Sequence, residues 1–149
     1  MSLTLVTAPT AEPISIEEFR VHARVTETEE DPYILQLIKG ATDFIEGKTQ
    51  RRLISQVVDW RLHGFDVEAL QFPLAPVTAL GSITYLNTDN VSTVLASSLY
   101  QTDLFSEPAI VMPAYGEAWP STYQVLNAVT IRFTVGYASM SAVPKELRT

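Results

Sequence analysis

The residue pattern predicts an α+β domain: an N-terminal helical pair, a small antiparallel β-sandwich or barrel-like module, and the start of a further helix. Three observations predict it. Apolar residues recur every three or four positions between Ile34 and Ile45, which is helical spacing. After Leu53 the period falls to two, and short alternating runs separated by Pro, Asn and Asp continue to Ala138. The clearest run is Val129, Ile131, Phe133, Val135 and Tyr137 alternating with Ala128, Thr130, Arg132, Thr134 and Gly136, a strand buried on one face.

In chain order, residues 1–13 hold two prolines and little periodicity, and read as a flexible arm. Ser15 with Glu18 three positions on is a capping-box signature, and Ile14 is spaced to staple onto Phe19. A short helix from Ile16 to Arg24 follows. Glu27, Glu29, Glu30 and Asp31 lack the alternating ligands and central glycine of a calcium loop, so they read as a solvated charge run favoured at a helix start. Asp31-Pro32 supplies an N-cap and N1 proline. Ile34, Leu37, Ile38, Ala41, Phe44 and Ile45 then form one buried stripe on a helix expected to end near Gly47.

Residues 14–53 thus make the helical part and 54–138 the β module. Val58, Trp60 and Leu62 alternate with Asp59, Arg61 and His63, a strand. The segment from Phe72 to Val77 carries two prolines and reads as an edge or crossover corner. Leu80 to Asn87 and Val91 to Leu95 flank Thr88-Asp89-Asn90, the clearest hairpin. Tyr100 to Leu104 and Ala109 to Met112 are shorter strands. The loop on Pro113, Gly116 and Pro120 leads into the last strand, with Trp119 biased to extended geometry by the following proline. Residues 139–149 form a tail in which Pro144 and Lys145 open a helix that the chain leaves at Thr149.

At 149 residues the chain suits one domain that buries roughly 70% of its unfolded surface. It has no cysteine, which excludes disulfides and thiolate metal sites. No apolar run approaches the roughly 20 residues of a membrane span, and MSLTLVTAPT lacks the basic region of a signal peptide. The chain therefore reads as soluble and intracellular. A net charge of −7 opposes phosphate-backbone binding.

No catalytic constellation emerges. His22 and His63 belong to no metal or base motif, and Ser55, Ser92, Ser97, Ser98 and Ser121 lie outside a nucleophile elbow. The six glycines are scattered, so no phosphate loop forms. Asp66, Glu68, Asp103 and Glu117 offer carboxylates that could converge, and Trp60, Trp119, Tyr115 and Tyr123 could form a sugar platform if exposed. A non-catalytic carbohydrate- or ligand-binding β module is accordingly the alternative reading. No cofactor is expected.

Specific wording goes further. The chain carries Ala114-Tyr115-Gly116-x-x-Trp119-Pro120, then Asn127-Ala128-Val129-x-Ile131-x-Phe133-x-x-Gly136-Tyr137, then Val143-Pro144. Upstream stand Thr49-Gln50-Arg51-Arg52-Leu53, Trp60-Arg61-Leu62 and the corner Phe72-Pro73-Leu74-Ala75-Pro76-Val77. Their order resembles the head-to-tail adaptor (connector) proteins of tailed bacteriophages, prophages and gene transfer agents. Phe72 replaces a usual Leu, and Asn90 a common turn glycine.

The resemblance implies a non-enzymatic structural protein of the virion neck, made in the host cytoplasm. It implies a twelvefold ring beneath the portal protein, a stopper or tail-completion protein below, and DNA passing without specific binding. It also implies a long helix after Pro144, cut short here, and a subunit that is a monomer until the portal templates it. Acidic walls suit a conduit that must not grip DNA. Two patches serve as candidate interfaces: Tyr115, Glu117 and Tyr123 in the loop, and Lys39, Asp43 and Glu46 on the polar face of the long helix with Arg51 and Arg52 at its exit.

Overall fold

A computed structural model describes residues 2–148; Met1 and Thr149 lie outside the described residues. Helix α1 (Ile16–Ala23) and helix α2 (Asp31–Thr49) precede the β module, and α3 (Lys145–Arg148) follows it. Strands β1 (Ser2–Thr7), β2 (Gln56–Leu62), β4 (Val77–Leu86), β5 (Ser92–Val94) and β8 (Val129–Val135) form one antiparallel sheet in the order β1-β2-β8-β4-β5. Strands β3 (Leu70–Gln71), β6 (Tyr100–Asp103) and β7 (Ile110–Pro113) form a second, ordered β3-β7-β6.

The α+β expectation holds, with eight strands among the described residues in place of about six. The core lies between the sheets. Val58 and Trp60 of β2, Ile83 of β4 and Val129, Ile131, Phe133 and Val135 of β8 meet Leu70 and Val111 of the smaller sheet. Phe133 lies edge-on to Phe72 at 4.9 Å, an arrangement favoured by ring quadrupoles. The alternation of β8 predicts this placement because a central strand packs one face on the core.

Two expectations are corrected and one is narrowed. The proposed arm contains β1, which pairs with β2 from Ser2↔Arg61 to Thr7↔Val57. Backbone pairing holds it, since all six of its residues remain exposed. The Phe72 to Val77 segment is the crossover of the two alternatives and not an edge: it links β3 of one sheet to β4 of the other, with Phe72, Leu74 and Val77 buried. The stripe of α2 is only half used. Ile34 and Ile38 are 2% exposed, but Leu37 is exposed and Phe44 is 65% exposed.

The caps behave locally as their residues dictate. Ser15 Oγ accepts from Glu18 N at 3.1 Å while Glu18 accepts from Ser15 N at 2.9 Å, a complete capping box. Helix α2 starts one residue earlier than an Asp31 cap requires, with Glu30 as N-cap, and runs past Gly47 to a left-handed Gln50. Asn90 takes the left-handed conformation expected of the hairpin turn.

Candidate functional site

The two ends of β2 define two ends of the molecule. At its start the helical part is joined to the β module. Arg52 N donates to Ala75 O at 2.9 Å, Ala75 N to Gln50 O at 3.1 Å, and Ser55 N to Tyr137 O at 2.9 Å. A small apolar cluster of Leu53, Ile54 and Val143, with Ile45, Tyr137 and Leu147 against it, fills the joint. Gly136 is required here: its φ is +112°, and a Cβ would lie 2.4 Å from the Ile54 carbonyl oxygen.

Three of the residues expected at an interface serve this joint. Glu46 Oε1 accepts from Leu53 N at 2.8 Å, and its other oxygen lies 3.6 Å from Arg52. Burial pushes the Glu46 carboxyl up, against the opposing pull of the Leu53 N–H and Arg52. Arg51 donates to Tyr137 Oη at 3.2 Å and pairs with Glu107. Lys39 and Asp43, by contrast, are exposed on α2.

At the far end of β2 lies the loop from Ala114 to Ala128. Trp119 stacks on Phe65 at 4.6 Å with a 6° interplanar angle, and its Nε1 donates to Val67 O and Glu68 O at 3.1 and 2.8 Å. Asn127 N donates to His63 Nδ1 at 3.0 Å, and Tyr123 N to Leu86 O at 3.0 Å. An open cleft of about 840 Å³, lined by His63, Phe65, Asp66, Trp119 and Gln124, results. Tyr115 stands fully exposed at a turn closed by Glu117 N on Ala114 O, with Gly116 at φ +79°. Glu117 and Tyr123 are exposed in the same loop.

Neither tryptophan makes an open platform. Trp60 is buried, and Trp119 has one face on Phe65 and its N–H on backbone carbonyls. His63 is an acceptor for the loop backbone, and His22 is exposed on α1. Asp103 accepts from Phe105 N and Ser106 N, and these N–H groups hold its carboxyl below the usual range. The proposed carboxylates thus serve turns or face solvent. Among the described residues, no group of three or more His, Asp or Glu is placed to hold a metal ion. No described helix is long and apolar enough to cross a membrane.

Sequence reasoning missed two exposed aromatic features. Phe105, at the tip between β6 and β7, is fully exposed. Its signal was Asp103 placed to hold a turn two residues on. The outward face of α2 carries Tyr33, Leu37 and Phe44, which helical spacing puts on one side with Gly40 and Gly47. The same apolar spacing was read as wholly buried.

Comparisons with known proteins agree in direction. The chain of the neck of an empty gene transfer agent (GTA) particle, computed with C6 symmetry, superposes with a TM-score of 0.84 at 27% identity, over 99% of this chain and 78% of that one. A chain from the virion of a native GTA particle gives 0.80 at 27%, again over 99% and 78%. One from the neck of a native GTA particle computed with C12 symmetry gives 0.75 at 28%, over 99% and 77%. Among curated protein sequences none matches. The family profile described as phage gp6-like head-tail connector protein matches residues 13–101, which span α1, α2 and the first half of the β module. The chain belongs to this head-tail connector family, a family of structural proteins and not of enzymes.

Proposed function

We propose that this connector works in the neck of a tailed phage or gene-transfer-agent-like particle, as a subunit of a ring beneath the portal protein. One observation carries the reading: 99% of the chain superposes, at a TM-score of 0.84, on a chain of a neck with cyclic symmetry. The ring is twelvefold on the portal, and its other face receives the stopper or tail-completion protein. DNA passes along walls whose net charge of −7 repels phosphate.

The proposed docking surfaces follow the two ends of β2. Tyr115, Glu117 and Tyr123 belong to the loop end, where exposed Tyr side chains offer contact area at small entropic cost. Lys39 and Asp43 belong to the helical end. Glu46, Arg51 and Arg52 contribute indirectly by fixing α2 on the β module. The carbohydrate-binding alternative loses its platform, because Trp60 is buried and Trp119 is occupied on one face and at its N–H.

The test is binding of the chain to the portal protein encoded beside it, followed by negative-stain imaging. A ring of density added to the portal is expected. An absence of portal binding, together with measurable affinity for an oligosaccharide, overturns the reading.

A further inference from the structure

Apart from proline, glycine is the least favourable residue inside a helix. Helix α2 nonetheless carries Gly40 and Gly47, and nothing lies within 4 Å of where a Cβ would stand at either. Packing within the chain therefore gives no reason for them. Both lie on the outward face of α2, where Tyr33, Leu37 and Phe44 are exposed. Steps of four, three, four and three residues from Tyr33 through Leu37, Gly40 and Phe44 to Gly47 hold all five on one narrow stripe, the repeat of a helix–helix seam.

The stripe is not the side of α2 that faces α1. A groove of about 480 Å³ runs there, lined by Ile38, Ala41 and Ile45 together with Leu147 and Arg148 of the C-terminal turn. At 3.6 residues per turn its centre stands about 100° round the helix from the stripe. Within the described residues the stripe is met only by the Lys48 ammonium, 5.7 Å over the Phe44 ring.

Read backwards, the stripe is complementary to itself. In an antiparallel pair centred on Gly40, Gly40 meets Gly40, Leu37 meets Phe44 and Tyr33 meets Gly47, so the backbones can close in at the crossing and no two aromatic rings collide. A parallel pair sets Phe44 on Phe44 and leaves both glycines facing gaps. Charge selects the same direction. Glu29 and Glu30 at the start of α2 have no ion pair among the described residues, and Lys48 flanks the stripe at its other end. Antiparallel packing brings each acidic start towards the other copy's Lys48 and opposes the two helix dipoles, whereas parallel packing sets like charges together.

We propose that the outward face of α2 docks on the same face of a second copy of this chain, antiparallel and crossing at Gly40, to give a two-fold pair of free subunits in place of the monomer that the resemblance implies. The inference goes beyond the neck reading and does not depend on it, because a two-fold contact closes at two copies whereas ring contacts are heterologous. Lys39 and Asp43 lie off the stripe and stay available to the ring. One helix pair covers less than the roughly 1,200 Å² of a stable interface, so the dissociation constant is on the order of 0.1–1 mM.

Sedimentation equilibrium of the whole chain up to about 2 mM should show a monomer–dimer equilibrium in that range. Gly40→Glu sets two carboxylates face to face at the crossing and should weaken the dimer by about 10-fold or more. The same change should raise the melting temperature of the dilute monomer by about 2–4 °C, since glutamate is the better helix former. Lys39→Gln shifts the net charge equally but lies off the stripe, and should leave the dimer unchanged. The chain has no cysteine, so placed thiols report direction. An equimolar mixture of Tyr33→Cys and Gly47→Cys chains, distinguished by mass, should form disulfides between unlike chains in excess. A chain that stays monomeric at about 2 mM overturns the pair, as does a dimer that survives Gly40→Glu or disulfides mainly between like chains. A ring on the portal from a chain that never dimerises leaves the neck reading standing without the pair, and a dimer without portal binding does the reverse.

Discussion

In β8, Val129, Ile131, Phe133 and Val135 are all 0% exposed, whereas across the 19 residues of α2 only Ile34 and Ile38 are buried. Helix α1 buries none. Each apolar side chain fully buried contributes about 1.5–3 kcal/mol, so the β module stands on its own core while the helices lean on a small joint and on polar pairs. Arg20 pairs with Asp31, and Arg148 with Glu18, tying α1 to α2 and α3 to α1. The difference teaches where the stability sits: the sandwich closes on its own core, while the helical end leaves apolar side chains such as Leu37 and Phe44 exposed.

The sharpest way to break that contrast is Phe133→Ala. It should cost about 3–5 kcal/mol in urea denaturation, because the side chain is fully enclosed between the sheets. A loss below about 1 kcal/mol would show that the core is not where the stability resides. Gly136→Ala comes next, with about 2 kcal/mol or more expected from its left-handed backbone and the clash with the Ile54 carbonyl. Hydrogen exchange should then show the joint and α2 opening together.

Ser15→Ala removes the capping box and should cost about 1 kcal/mol, confined to α1. Amide exchange in residues 16–23 reads it, and an equal rise throughout β8 would contradict the separation. Phe44→Ala, at the exposed face of α2, should change stability by no more than about 0.5 kcal/mol. A larger loss would mean that this face is already packed in the isolated chain.

Acidity should push the two regions in opposite directions. Arg132, bidentate at 2.7 and 2.9 Å, holds the Asp59 carboxyl below its usual value. Its stabilisation is therefore present above the ordinary Asp value of about 3.9 and disappears as pH falls through the lowered one. The effect is modest because Arg132 is half in water. Burial raises Glu46 instead, so a loss of stability sets in as pH rises from about 4.3 through the raised value. Denaturation across this range should show Asp59→Asn converging with the parent at low pH and Glu46→Gln relieving the loss at higher pH. Parallel curves for both variants would refute these assignments.

Legibility followed the same divide. Alternation in β8, the hairpin at Asn90 and the Ser15/Glu18 cap were readable because each depends on local spacing. The strand β1 was not, although Leu3 and Leu5 alternate, because prolines downstream outweighed a short run whose partner, β2, lies far along the chain. The α2 stripe misled for a different reason: spacing marks an apolar face but not whether its cover lies within the chain. Likewise Arg51, Arg52 and Glu46 look like free surface charges until Tyr137, Glu107 and Leu53 are placed beside them. Among the exposed aromatic residues, Tyr115 was singled out from the sequence and Phe105 was not.

The position of β8 sets a timetable. It is the last strand to leave the ribosome, yet it lies at the centre of the larger sheet, between β2 and β4. Until residue 135 has emerged, β1 with β2 and β4 with β5 are two separate ribbons, and two-stranded ribbons are marginal in water. The larger sheet therefore cannot close until β8 has been made, with long-range pairing as its slow step.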